Sequence, residues 1–160
     1  MTIRALTAVI AAALLAPAAA LANEPAPTPA DRQNAASSCK ALQTSLGAAT
    51  FKETYGTNAS KSNAYGQCVA KMARAEAENR QEAQTACAAE RGKAPGAFGR
   101  CIAAKRAQAS AEDRRDVQNA ARRCQAERRT LGAAAFATKY GTRANAFGRC
   151  VSKLAQGSDG

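Results

Sequence analysis

Residues 119–151 of this chain read NAARRCQAERRTLGAAAFATKYGTRANAFGRCV, and residues 34–69 read NAASSCKALQTSLGAATFKETYGTNASKSNAYGQCV. The two stretches are copies of one sequence. When the three extra residues 58–60 are set aside, 20 of the 37 positions that align between residues 34–73 and 119–155 are identical. The shared positions are cysteines, glycines and aromatic residues at fixed spacing. Such a pattern predicts a repeated structural unit stapled by disulfides, and it does not identify an active site.

Apolar residues in both copies follow a helical period. In the first copy Ala35, Cys39, Leu42 and Leu46 lie at i, i+4, i+7 and i+11, which places them on one face of a helix. The period recurs at Tyr65, Cys68, Val69 and Met72, in the last copy at Phe147, Cys150, Val151 and Leu154, and on the preceding helix at Val117, Ala120, Cys124 and Leu131. All of these residues are therefore predicted to be buried.

Glycines divide each copy into helical segments. Gly47 and Gly56, with Gly132 and Gly141 in the last copy, stand where helix ends favour a left-handed residue. Each copy is thus predicted to form a helix, a short helix, a loop and a second helix. One face of the short helix would be covered by an aromatic pair, Phe51 with Tyr55 and Phe136 with Tyr140.

A middle copy is abbreviated. It runs from Cys87 to Cys101, and the segment Gly92-Lys-Ala-Pro-Gly96 predicts a tight turn between two helices. No strong helix breaker lies between Asn63 and Arg91, so the second helix of the first copy is predicted to continue into the middle copy. In the other junction Ser110 suggests a capping break.

Six cysteines allow 15 pairings. On one continuous helix Cys68 and Cys87 would lie about 28 Å apart, beyond the reach of a disulfide. Facing helices of one hairpin instead bring together the two cysteines of each copy. The predicted pairs are Cys39 with Cys68, Cys87 with Cys101 and Cys124 with Cys150. The predicted fold is therefore all-α, built of three disulfide-stapled helical hairpin repeats with the middle one abbreviated.

The N-terminal residues indicate export. Residues 1–22 combine Arg4, a short apolar run and Ala20-Leu-Ala22, the pattern of a cleaved signal peptide. Residues 23–30 are a proline-rich spacer, residues 31–155 the helical repeat domain and residues 156–160 a frayed tail. Thr28-Pro-Ala-Asp31 predicts the first helix start. Export makes disulfides the expected state of the cysteines.

Several kinds of site are disfavoured. The chain contains no histidine, which excludes Ser-His-Asp and Cys-His catalysis and histidine metal ligands. The cysteines never occur as C-x-x-C. Glu112, Asp113 and Asp116 could supply paired carboxylates for a glycosidase, but among arginines in an early helical turn they are better interpreted as a solvated face. We expect no enzyme, metal, cofactor or small-molecule substrate.

Basic charge is the remaining functional signal. The chain has 23 Lys and Arg against 12 Asp and Glu, a net charge of +11. Arg115, Arg122 and Arg129 recur every seven residues, opposite the predicted cysteine face, with Arg114 and Arg123 at the flanks. We call these five residues the arginine face. It is either a polyanion-binding surface or a solvated surface of no specific function.

The motifs Cys-x-Ala-Glu-Arg, Ala-x-Phe-x-x-x-Tyr-Gly-Thr and Asn-Ala-Phe-Gly-x-Cys-Val, complete in residues 119–151 and less regular in 34–69, resemble those of secreted bacterial cysteine-containing helical repeat proteins. The resemblance covers most of the chain, but that group has no known function to transfer.

The sequence therefore predicts a non-catalytic bacterial protein, secreted or held in the periplasm and envelope. Its expected partners are an anionic envelope polysaccharide, an anionic lipid surface or extracellular nucleic acid. The alternative is a structural or protein-interaction module whose alanine-rich faces dock a protein partner and whose charge only aids solubility.

Overall fold

The computed structural model describes residues 24–157, and these are helical without strands. The elements are α1 (Pro29–Leu46), α2 (Ala48–Tyr55), α3 (Ala64–Ala86), a 3-10 turn (Ala88–Glu90), α4 (Ala97–Tyr140) and α5 (Ala146–Gln156). The all-α prediction is confirmed. The predicted signal peptide and the last three residues of the predicted tail lie outside the described residues.

The first helix begins where its sequence predicts. The Thr28 side chain accepts a hydrogen bond from the backbone N–H of Asp31 at 3.2 Å. In return the Asp31 carboxylate accepts one from the Thr28 backbone N–H at 2.8 Å. Pro29 occupies the first turn, where its missing N–H costs nothing. Local hydrogen bonds therefore mark the start of this helix.

The first and last copies share their local geometry. Gly47 has φ 75° and ψ 155° between α1 and α2, and Gly132 has φ 77° and ψ 159° where it interrupts α4. Residues 133–140 of α4 are thus the counterpart of α2. The ring centroids of Phe51 and Tyr55 lie 5.0 Å apart, and those of the aligned pair in the last copy lie 4.9 Å apart. Similar sequence has given similar backbone.

Each disulfide joins the two arms of one hairpin, with Cys87 at the turn that follows α3. The pairs are Cys39–Cys68, Cys87–Cys101 and Cys124–Cys150, with Cα–Cα distances of 6.0, 5.9 and 6.0 Å. They are the pairs that the hairpin geometry predicts. Three disulfides in one small chain are typical of an oxidising compartment. Within residues 24–157 no helix is long and apolar enough to cross a bilayer.

Three helix boundaries differ from the prediction. α3 ends at Ala86 and does not continue to Arg91, because a 3-10 turn at Ala88–Glu90 replaces the last α-helical turn. Gly56 is not left-handed, with φ −70°; it is required because a Cβ there would lie 2.7 Å from the Lys52 carbonyl oxygen and the Lys61 side chain. Ser110 does not cap a helix, since α4 runs through it. Its hydroxyl instead donates a hydrogen bond to buried Glu76.

Two predicted core residues are exposed. Tyr65 is 37% exposed, and its hydroxyl donates a hydrogen bond to the Ala36 carbonyl. Leu131 is 42% exposed. Of their aligned counterparts, Phe147 is 5% exposed and Leu46 is half-buried. Burial at these positions therefore depends on whether the other copy packs against them, and not only on the face of the helix on which they lie.

Buried apolar residues of the described part of the chain form two clusters, one in each full copy. Both contain the disulfide and the aromatic pair of their copy. Leu46 and Val117 pack against both clusters and so join them. The two full copies therefore pack directly against each other, although the middle copy separates them in sequence.

Candidate functional site

A cleft of about 610 Å³ lies where the first and last copies meet. It is lined by α3, α5, the end of α2 and the loops that follow, with Tyr55 among the lining residues. Among the lining residues that the structure describes, four are cationic and none is a carboxylate. The four cations are Lys71, Arg74, Arg149 and Lys153. We call this site the basic cleft.

Helical spacing positions the cationic side chains. On α3, Gln67, Lys71 and Arg74 lie at i, i+4 and i+7, and on α5, Arg149 and Lys153 lie at i and i+4. Each set therefore projects from one side of its helix. The two sides face each other across the cleft. The cleft therefore collects four positive charges from two helices that are far apart in sequence.

Gly148 allows the walls of the cleft to approach closely. A Cβ at this position would lie 2.6 Å from the Thr54 carbonyl oxygen, closer than real Cβ contacts. α5 therefore packs directly on the end of α2. Arg149, the next residue, lies against Gly141, where a Cβ would lie 2.9 Å from its guanidinium. The two glycines thus fix where α5 and the Arg149 side chain sit.

Hydrogen bonds and neutral polar groups accompany the cations of the basic cleft. Lys71 Nζ donates a 2.5 Å hydrogen bond to Ser152 Oγ across the cleft. Although Lys71 is exposed at the rim, the surrounding atoms partly desolvate its ammonium group and lower its pKa. The lining also includes amide and hydroxyl groups of Gln67, Thr57 and Asn145. Such a set of cations and neutral donors can bind phosphate, sulfate or carboxylate groups.

The arginine face is only partly available. Arg115, Arg122, Arg123 and Arg129 are exposed, as predicted. However, Arg115 Nη2 lies 3.9 Å from Glu112 Oε1, and Arg122 and Arg123 line a pocket together with Asp116. Nearby carboxylates therefore offset part of the positive charge of this surface, unlike that of the basic cleft.

Arg114 does not belong to the exposed face. Its guanidinium donates a 3.1 Å hydrogen bond to Ser38 Oγ of α1. A residue at the flank of the predicted face thus turns inward and joins α4 to α1. A long side chain at the flank of a helix face can reach a neighbouring helix.

The acidic cluster lies within α4, and not at a helix start as predicted. Glu112 faces Arg115 at the surface. Asp113 accepts a 2.9 Å hydrogen bond from the Asn79 side chain of α3. Between residues 24 and 157 no three His, Cys, Asp or Glu residues are grouped to hold a metal ion.

Sequence reasoning missed the basic cleft and a buried ionic cluster. Lys71 and Lys153 are identical aligned positions, which was a signal that the two copies carry cations on the same helix side. Asp31 and Glu76, both buried, bind the Arg106 guanidinium at 2.7 and 3.4 Å. No local pattern marks this cluster, because its members come from α1, α3 and α4.

Comparisons with protein-family models, with curated proteins and with solved structures find no match to this chain.

Proposed function

We propose that this chain is an exported, non-catalytic bacterial protein that binds anionic polymers or surfaces at the basic cleft. The observation that carries the proposal is that four cations converge on a cleft whose described lining residues include no carboxylate. Such a surface raises the local concentration of polyanions and forms charge-assisted hydrogen bonds to their anionic groups.

Export is part of the proposal. Three disulfides support an oxidising destination, and the N-terminal sequence has the pattern of a cleaved signal. In the periplasm, at the envelope or outside the cell, the available polyanions are anionic polysaccharides, anionic lipid surfaces and extracellular nucleic acid. The cleft offers charge and neutral donors and no feature specific for one of these, so we expect broad recognition.

The experiment measures binding of the oxidised chain to a DNA duplex, to heparin and to phosphatidylglycerol vesicles over a range of salt concentrations. Contacts to phosphates release counterions, so the logarithm of the affinity for DNA should fall linearly with the logarithm of salt concentration, by about 0.9 per neutralised phosphate. Glutamine at Lys71, Arg74, Arg149 and Lys153 should reduce the slope by roughly 3 to 4 if each side chain meets a phosphate.

The matched control replaces the exposed Arg115, Arg122, Arg123 and Arg129 by glutamine. It also removes four charges, but from a surface that has carboxylates nearby, so its effect on the slope should be clearly smaller. A larger effect from this control would move the site to the arginine face. If the unmodified chain binds none of the three probes at low salt, polyanion binding is wrong. Salt-insensitive capture of a single protein would favour the interaction module instead.

A further inference from the structure

The contact between the two full copies is asymmetric, because each copy contributes a different surface to it. The first copy contributes the end of α1, α2, Lys61 of the following loop and Lys71 of α3, while the last contributes α4, the loop before α5 and α5 itself. Thr54 lies against Gly148, and Gln118 Nε2 donates a 3.1 Å hydrogen bond to Ser45 Oγ. Different surfaces of the same repeated sequence therefore meet in what we call the internal contact.

The counterparts of these surfaces are uncovered. Gly66 aligns with Gly148, and nothing lies within 4 Å of where its Cβ would be. Gln33 aligns with Gln118 and Thr130 with Ser45, and both are exposed. If the internal contact were two-fold symmetric, Gln33 would bond to Thr130, as Gln118 bonds to Ser45. Instead, each copy leaves exposed the surface that the other copy uses in the internal contact.

Exposed apolar residues lie at the same two surfaces. Among residues 24–157 the large hydrophobic side chains that are exposed are Tyr65 at 37% and Leu131 at 42%. Their counterparts are Phe147, which is buried, and Leu46, which joins the two apolar clusters. The exposed residues thus mark both halves of a second contact of the same kind.

We propose that the chain associates head to tail with further copies of itself. The surface of the last copy that carries Leu131 and residues 133–140 would pack on the surface of the next chain that carries Tyr65 and Gly66. Because the two surfaces differ, this contact is heterologous. It leaves one free surface at each end and leads to chains of molecules or, where the rotation closes, to rings.

Aligned differences make the contact between chains weaker than the internal one. Gln33 and Thr130 preserve the polar pair, and Arg143 replaces Lys61, whose ammonium binds the Ala144 carbonyl in the internal contact. The ion pair of Arg128 with Glu53, at 3.0 Å in the internal contact, would be lost between chains. Gln43 aligns with Arg128 and Thr138 with Glu53, and neither is charged. Association should therefore be reversible and depend on concentration.

Sedimentation equilibrium of the oxidised chain tests the proposal, in high salt and without a polyanion, so that charge-mediated bridging does not contribute. The average mass should rise with concentration beyond that of a dimer. Gly66→Gln should weaken association at least about tenfold, because a side chain there blocks close helix approach. Gly99→Gln is the matched control. Gly99 is helical, open to solvent and holds the aligned position in the middle copy, so this variant should stay within about twofold.

Crosslinking determines the direction of the contact. The six native cysteines are paired, so a bismaleimide reacts with introduced thiols alone. A mixture of Gln33→Cys and Thr130→Cys chains should give crosslinked dimers, and either variant alone should not. A chain that stays monomeric up to about 1 mM, an affinity limit of roughly −4 kcal/mol, would overturn the proposal. So would association that Gly66→Gln and Gly99→Gln weaken equally, or dimers that form from one variant alone.

Discussion

Ser110 Oγ donates a 2.6 Å hydrogen bond to Glu76 Oε1, joining the middle of α4 to the middle of α3. The other carboxylate oxygen of Glu76 lies 3.4 Å from the Arg106 guanidinium, which also binds Asp31 at 2.7 Å. A polar cluster thus ties three helices together in a chain whose apolar interior is mostly alanine, cysteine and a few aromatic residues.

The Ser110 hydroxyl should contribute measurably to stability. Ser110→Ala leaves a buried carboxylate oxygen without its shortest hydrogen bond, so the free energy of unfolding should fall by about 1.5 to 3 kcal/mol in urea titrations. Ser37→Ala is the control, because the Ser37 hydroxyl is exposed and bonds only within α1. It should change stability by less than about 0.5 kcal/mol. Equal losses would mean that the α3 to α4 bond is unimportant.

Stability should depend on the ionisation of Asp31. Burial raises the pKa of this carboxyl, but hydrogen bonds from Thr28 and the Arg80 guanidinium outweigh burial and hold the pKa below its usual value. The ionised form is therefore favoured by folding. Its stabilisation is complete above the unfolded-state pKa of about 3.9 and is lost as the pH falls through the lower folded-state pKa.

Asp31→Asn should thus destabilise the chain by about 3 kcal/mol near neutral pH, and the difference from the parent should shrink in acid. Urea titrations at a series of pH values measure this difference. A gap that stays constant down to pH 2 would show that the Asp31 charge is not what matters.

Phe147 and Tyr65 should differ sharply in their contribution to stability, although they align. Phe147 is buried beneath the Arg128 guanidinium, which lies 5.0 Å from its ring centroid. Phe147→Ala should therefore cost about 3 to 5 kcal/mol. We expect Tyr65→Ala to cost about 1 kcal/mol and Arg122→Ala about 0.5 kcal/mol or less. Thermal and urea unfolding of the three variants decide this, and similar costs for Phe147 and Tyr65 would contradict the difference in their burial.

The three disulfides should be reduced in a definite order. Cys39, Cys68, Cys124 and Cys150 are fully buried, whereas Cys101 is partly exposed. Mild reduction followed by alkylation and peptide mapping should therefore label Cys87 and Cys101 first. Complete reduction should lower the melting temperature substantially, since each crosslink contributes roughly 3 to 4 kcal/mol by chain entropy. Early labelling of Cys124 or Cys150 would contradict this order.

Local sequence predicted those features that depend on neighbours along the chain. Thr28, Pro29 and Asp31 defined the first helix start, and Gly47 and Gly132 separated the long and short helices. The cysteine pairing also followed, because hairpin geometry leaves few partners within reach. Each of these conclusions needed only a turn, a cap or one hairpin.

Local sequence patterns did not predict the features that depend on how the two full copies pack against each other. Tyr65 and Leu131 lie on helix faces that are buried in their counterparts, and only the asymmetric internal contact leaves them exposed. Ser110 resembled a cap, yet α4 runs through it and its hydroxyl binds a carboxylate of α3 that is distant in sequence. The basic cleft was missed for the same reason, since Lys71 and Lys153 meet only once the two copies are in place.

The unbroken course of α4 from residue 97 to Gly132 makes it a rigid rod. At 1.5 Å per residue this part of α4 is about 52 Å long, and it connects the Gly92–Gly96 turn to the last copy without an intervening hinge. A fluorophore attached in that turn would rotate with the whole molecule and not as an independent arm. Its anisotropy would therefore report the tumbling of the entire particle from a position away from both the basic cleft and the surfaces that carry Tyr65 and Leu131.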